Sequence, residues 1–131
     1  MEKEDGVCSR ELAQRLKKSG EKQKCLWYWQ YNGKDSCLKE YTLECGRGYG
    51  ISKKDCYAPT VTELGERLPA RIIDNEGSEW FLEIWKVNPG KWEVKYRNGE
   101  CDFIIEYADN LANAMTEMLI YLRKNKWIEE G

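Results

Sequence analysis

Apolar residues recur at helical spacing in three separate segments of this chain. The first segment follows Ser9, a good N-cap residue, and ends at Gly20. The second follows Thr60, which with Glu63 has the sequence of a capping box, and ends before Pro69, which cannot continue a helix. Both are predicted to be short helices that lie against the body of the protein.

The third helical segment is the longest and extends from about residue 109 to residue 124. Its apolar residues share one face and are Leu111, Met115, Met118, Leu119 and Leu122. A stripe of this width is sufficient to cover one face of a β-sheet. Asn125 is predicted to end the helix in the left-handed conformation and so to fold Trp127 back onto the last turn.

Strand-like segments alternate with these helices. Residues 25–31 and 36–43 are predicted to form a hairpin around the turn sequence Asn32-Gly33, and residues 46–57 an ordered loop without a clear period. Residues 70–73, 80–87, 91–96 and 101–107 are separated by turns rich in Asn, Gly and Pro, as in a meander. The prediction is an α+β fold, in the order α-ββ-α-ββββ-α, with an antiparallel meander sheet packed by helices.

Strict alternation in one predicted strand assigns its two faces. Trp92, Val94 and Tyr96 alternate with charged residues from Lys91 to Arg97. Such a strand places one face on a core and the other in water. We therefore expect the charged side chains of this strand to be solvated.

Length and composition indicate one globular domain spanning residues 1–131. The chain is 41% hydrophobic and 34% charged, which is sufficient to build a single core. A soft boundary near residues 58–59 is expected, where an aromatic hairpin region gives way to the α-β-meander-α unit. The charged start lacks the apolar core of a secretory signal, and no apolar run approaches the length of a membrane span, so we expect a soluble, cytoplasmic protein.

The six cysteines are expected to be thiols, because a cytosolic chain of this size does not need disulfides. Cys25 and Cys37 lie in adjacent predicted strands, which keeps a disulfide or metal site between them open. The spacing contains no Cys-x-x-Cys pair of the kind that structural zinc sites use, so no metal site is assigned.

The chain has no histidine, which removes the usual general base near neutral pH and the commonest ligand of transition metals. No catalytic residue or cofactor is assigned, and the prediction is that the protein is not an enzyme. A catalytic cysteine would remain the enzymatic alternative and would be detected by its unusual reactivity.

Six tryptophans and eight tyrosines are many for a chain of this size, and core packing accounts for most aromatic residues in strands. The first strand of the predicted hairpin, however, carries large side chains on both of its faces. Trp27, Trp29 and Tyr31 share one of them and are the predicted interface residues. The expected partner is an unidentified protein or a second copy of the chain.

Nucleic-acid binding is the alternative function. It would use Lys91, Lys95 and Arg97 with nearby aromatic rings. The element order after residue 60 resembles the double-stranded-RNA-binding fold, but the last helix opens on Asp109 where that fold places lysines against phosphate. The net charge of −2 also gives no global attraction to phosphate, so nucleic acid is the less favoured partner.

The chain resembles uncharacterised proteins encoded by phages and prophages of gut bacteria of the Bacteroides type. The resemblance is carried by residues 7–9 and 11–13 with Lys22-Gln23, by residues 58–65 and 68–69, and by residues 92–96 with the helix at 112–126. It implies a phage-related accessory or host-interaction protein in the bacterial cytosol. It implies no activity and no site residue.

Overall fold

The computed structural model describes residues 7–20, 27–32, 35–40, 56–87 and 90–127; in the first three strands, Trp29 is the one side chain described. Three helices lie within these residues: α1 (Arg10–Lys18), α2 (Val61–Arg67) and α3 (Leu111–Lys124). The strands within the same residues are β1 (Trp27–Asn32), β2 (Asp35–Glu40), β3 (Cys56–Tyr57), β4 (Arg71–Ile73), β5 (Glu79–Val87), β6 (Lys91–Asn98) and β7 (Cys101–Ala108).

The strands form two antiparallel sheets. The hairpin β1–β2 is extended by β3 to give the order β2-β1-β3, and the second sheet has the order β4-β5-β6-β7. Neighbours in the second sheet are consecutive in sequence, which is the predicted meander. The predicted α+β fold is confirmed, and its element order is confirmed apart from the additional short strand β3.

Strand β3 lies in the segment that was predicted to be a loop. Its two residues pair with Tyr28 and Trp29 of β1. Two residues are too few to show a period of two, so this pairing leaves no signal in the sequence.

Side-chain caps begin all three described helices, and the two predicted caps are confirmed. The Ser9 hydroxyl accepts the Leu12 amide at 3.3 Å. In the capping box of α2, Thr60 Oγ1 accepts the Glu63 amide at 3.2 Å and Glu63 Oε1 accepts the Thr60 amide at 2.9 Å. At α3 the cap is Asn110, so the helix begins slightly later than predicted.

The C-terminal end of α3 differs from the prediction in one residue. Asn125 has a φ of −97°, and Lys126 instead takes the left-handed conformation with a φ of 59°. The predicted fold-back still occurs, because the Trp127 amide donates to the Leu122 carbonyl at 2.8 Å. The left-handed residue is therefore one position later than predicted.

The core lies between α3 and one face of the meander sheet. Val94, Tyr96 and Ile104 of the sheet pack with the apolar stripe of α3, and α1 and α2 add Leu16 and Leu64. The Tyr96 hydroxyl donates to the Pro69 carbonyl at 2.7 Å, which ties β6 to the end of α2. Burial raises the pKa of this phenol.

Two cysteine side chains are described. Cys8 is buried in the core and Cys101 is an exposed thiol. Cys25 lies outside the described residues, so the suggested contact with Cys37 stays a prediction; in the hairpin, Cys37 lies opposite Gln30. None of the helices in the described ranges is long and apolar enough to cross a bilayer.

Candidate interaction surface

Helix α3 packs against one face of the meander sheet, here called the inner face, and α1 and α2 pack on α3. The strand register assigns the other positions to the opposite side, called the outer face. The outer face consists of Arg71, Ile73, Glu79, Phe81, Glu83, Trp85, Val87, Lys91, Glu93, Lys95, Arg97, Asp102, Ile105 and Tyr107.

Large apolar side chains are exposed on the outer face. Ile73, Phe81, Trp85 and Tyr107 are between 43% and 50% exposed. Isolated exposed apolar residues are ordinary, but these four lie on one face of a single sheet. They form the largest group of exposed apolar side chains in the described part of the chain.

Sequence reasoning missed these residues, although β5 contains a signal for them. Trp80, Leu82 and Ile84 occupy alternate positions of β5 and point to the inner face. The positions between them place two further large rings, Phe81 and Trp85, on the outer face. A strand that is apolar on both sides must be covered twice or leave one side exposed. The same pattern on β1 is the basis of the predicted interface at Trp27, Trp29 and Tyr31.

Trp85 is held flat on the outer face by three neighbours. Its indole Nε1 donates to Glu83 Oε1 at 2.9 Å. Lys95 Nζ lies 3.5 Å from the ring centroid and Arg97 Cζ lies 4.8 Å from it, both within cation–π range. The ring therefore covers two cations and still presents an exposed apolar surface.

The prediction that the charges of β6 are solvated is wrong for Lys95. Its face was assigned correctly, but the residue is only 4% exposed because the indole of Trp85 lies over it. Lys95 Nζ is bonded to Glu93 Oε1 at 2.8 Å, so the desolvated ammonium has a carboxylate partner.

A β-bulge shapes the end of the outer face. The register changes between Tyr96 and Arg97, so Phe103 is the extra residue on β7 and Asp102 lies opposite Arg97. Arg97 Nε and Asp102 Oδ1 are 2.6 Å apart, an ion pair without hydrogen-bond alignment. Arg97 Nη1 is also 3.8 Å from Glu83 Oε1. Arg97 is therefore largely shielded, unlike the solvated side chain predicted from the alternation.

The bulged residue itself joins the inner side of the protein. The ring of Phe103 stacks on Trp80 with centroids 4.9 Å apart and meets Trp127 edge-on at 5.4 Å. The fold-back after α3 thus packs against the bulged residue.

The remaining cations of the outer face also have partners on it. Arg71 Nη1 is bonded to Glu79 Oε1 at 3.1 Å, and Lys91 Nζ lies 4.9 Å from the ring centroid of Tyr107. The face therefore carries four cations and four carboxylates, so its net charge is zero. Lys91, the one lysine of the predicted nucleic-acid face that is exposed, lies at its margin.

The predicted interface on β1 is described at one of its three positions. Trp29 is half-buried, packs against Val7 and Ala58, and donates its indole N–H to the Cys8 carbonyl at 3.0 Å. It therefore connects β1 to the residues before α1. The side chains of Trp27 and Tyr31 lie outside the described part, and their assignment stays a prediction.

A carboxyl group with a shifted pKa lies on the inner side. Burial raises the pKa of Glu106, repulsion from Glu117 raises it further, and Arg15 opposes both. Arg15 forms an ion pair with Glu117 at 2.8 Å, which joins α1 to α3. These three charged residues join β7, α1 and α3, and Glu106 lies on the opposite face of β7 from the exposed ring of Tyr107.

These observations define an α+β protein in which α3 covers one face of a meander sheet and the other face is aromatic and internally charge-paired. Comparison with protein-family models, curated proteins and solved structures found no match to this chain. The resemblance to phage-encoded proteins stays a prediction.

Proposed function

We propose that this protein is a non-enzymatic interaction module that binds a protein partner on the outer face of its meander sheet. The observation that carries the proposal is the environment of Trp85. Its ring contacts Glu83, Lys95 and Arg97, yet the residue remains 43% exposed. The phage-like resemblance supports a cytoplasmic accessory role in a bacterial host.

A preformed aromatic surface favours protein binding for an energetic reason. Interface hot spots are enriched in tryptophan, tyrosine and arginine. A side chain that is already fixed loses little conformational entropy when the partner arrives, about 0.5–1.5 kcal/mol less than a freely rotating one. Trp85 is fixed by one hydrogen bond and two cation contacts, with Phe81 and Tyr107 exposed on the same face.

The charge arrangement favours a protein partner over nucleic acid. Nucleic-acid binding requires accessible cations that can neutralise phosphates and displace the counterions condensed on them. Lys95 is buried against Glu93, and Arg97 is paired with Asp102, so phosphate would have to compete with carboxylates already in place. Of the three predicted nucleic-acid residues, this leaves Lys91 as the accessible cation, and one cation contributes little affinity for phosphate.

The test is covalent cross-linking of the tagged full-length chain in cells of a bacterial host, followed by mass spectrometry. Phe81→Glu places a carboxylate in the apolar patch, where Arg71 and Arg97 flank it and help the fold to tolerate it. Ile84→Glu is the matched control, because it lies on the same strand, is 39% exposed and points to the inner face.

The expected result is a cross-linked protein, the chain itself included, that is lost in Phe81→Glu and kept in Ile84→Glu at equal thermal stability. Recovery of the same cross-links from wild type and Phe81→Glu, or of none from either, would refute the proposed surface. Binding of the purified protein to DNA or RNA at low ionic strength would support the nucleic-acid alternative instead.

A further inference from the structure

We infer that the occupant of the outer face is the outer face of a second copy of this chain, giving a two-fold symmetric dimer by sheet-on-sheet packing. This inference rests on the proposed function, because it names the partner of the same surface. Three properties of the face support it: charge, shape and area.

Charge is the first argument. A two-fold interface brings a surface patch against itself, so any net charge on the patch would meet an equal charge of the same sign. The outer face has four cations and four carboxylates, and its ion pairs are formed within one protomer. Two copies can therefore meet without net like-charge repulsion, and the paired ions need not be separated from their partners. The chain's net charge of −2 adds little long-range repulsion.

Shape is the second argument. Every β-sheet has a twist of the same hand, and two sheets of equal twist pack face to face with their strands about 30° apart. A second copy of this sheet has that matching twist by identity. The side chains that would interdigitate are the protruding rings of Phe81, Trp85 and Tyr107.

Area is the third argument. Strands β5 to β7 are about 26–30 Å long and together span about 14 Å, and the three-residue β4 adds about 10 Å by 5 Å, which gives a footprint of about 450 Å² per protomer. Two such footprints total about 900 Å², which lies in the range of weak, transient interfaces. A dimer of this size is expected to be weak and reversible, with a dissociation constant on the order of 1–100 µM.

The test is sedimentation velocity of the purified full-length chain between 1 and about 500 µM, with reductant present so that Cys101 cannot link two copies. The expected result is a concentration-dependent shift from 15.4 kDa towards twice that mass. Phe81→Glu should weaken the dimer at least tenfold, and Ile84→Glu should leave it unchanged. Ile73→Lys, which faces Glu79 and so keeps a favourable neighbour, serves as a second outer-face variant should Phe81→Glu unfold.

A wild-type protein that stays at 15.4 kDa at the highest concentration would overturn the inference, as would a dimer that both outer-face variants leave intact. The two failures are distinguishable. A monomer that still cross-links a different protein through Phe81 in cells refutes the dimer and keeps the proposed function. A monomer without any Phe81-dependent cross-link refutes both.

Discussion

Removal of the Trp85 ring tests whether the indole covers the cations of the outer face. The side chain is 43% exposed, so more than half of its surface is buried. If a tryptophan buries about 250 Å² when fully enclosed, Trp85 buries about 140 Å² here, which corresponds to about 3.5 kcal/mol as an upper estimate. Trp85→Ala is therefore expected to lower the free energy of unfolding by about 2–3.5 kcal/mol.

A double-mutant cycle separates the contact with Lys95 from this general loss of burial. Lys95→Met keeps the aliphatic stem and removes the ammonium, whose Nζ lies 3.5 Å from the ring centroid. Cation–π energies rise from about 0.5–1 kcal/mol at exposed sites to about 2 kcal/mol when the cation is desolvated. Because Lys95 is 4% exposed, we expect a coupling energy of about 1–2 kcal/mol between Trp85→Ala and Lys95→Met.

The assay is urea unfolding at pH 7 followed by far-ultraviolet circular dichroism, which does not depend on tryptophan fluorescence. The control cycle pairs Trp85→Ala with Lys91→Met, because Lys91 lies over Tyr107 on the same face. That cycle should be additive within about 0.5 kcal/mol. If the Lys95 cycle is equally additive, the ring does not cover the ammonium and the preformed surface of the proposed function loses its basis.

Three further substitutions test the fold. Gly65→Ala should stabilise the protein by about 0.5–1 kcal/mol in thermal unfolding, because alanine has the higher helix propensity. The added β-carbon would lie 3.7 Å from Met115 Cε, an ordinary contact distance. A loss of stability would contradict the packing of α2 on α3. Tyr96→Phe removes the hydroxyl bonded to the Pro69 carbonyl and should cost about 1–2 kcal/mol in urea unfolding, whereas a neutral change would mean the bond is absent. Because the pKa of Glu106 is raised in the folded state, the folded protein binds this proton more tightly than the unfolded chain does. The contribution of Glu106 to the free energy of unfolding therefore falls as the pH rises above 4.5, the ordinary pKa of a glutamate. Glu106→Gln should therefore be more stable than wild type at pH 7, with the difference shrinking below pH 4.5; a difference independent of pH would refute the shift.

The local elements of this fold were largely predictable from the sequence. The N-cap at Ser9 and the capping box at Thr60 involve groups within four residues of each other, so their chemistry is written in neighbouring positions. The alternation in β6 likewise identified the buried side chains of Val94 and Tyr96. Helices, caps and strand faces depend on short-range periodicity, which a single chain displays directly.

The candidate surface depended on contacts that periodicity does not encode. Alternation placed Lys95 on the correct face but in water, because it carries no information about Trp85 on the neighbouring strand. Packing between distant segments decides two further features. One is the bulge, which sets Asp102 against Arg97. The other is the left-handed turn at Lys126, which brings Trp127 onto Phe103. Short-range patterns therefore predicted most of the elements and the buried face of β6. Which aromatic residues stay exposed follows only from the three-dimensional packing, because exposure depends on what distant parts of the chain cover.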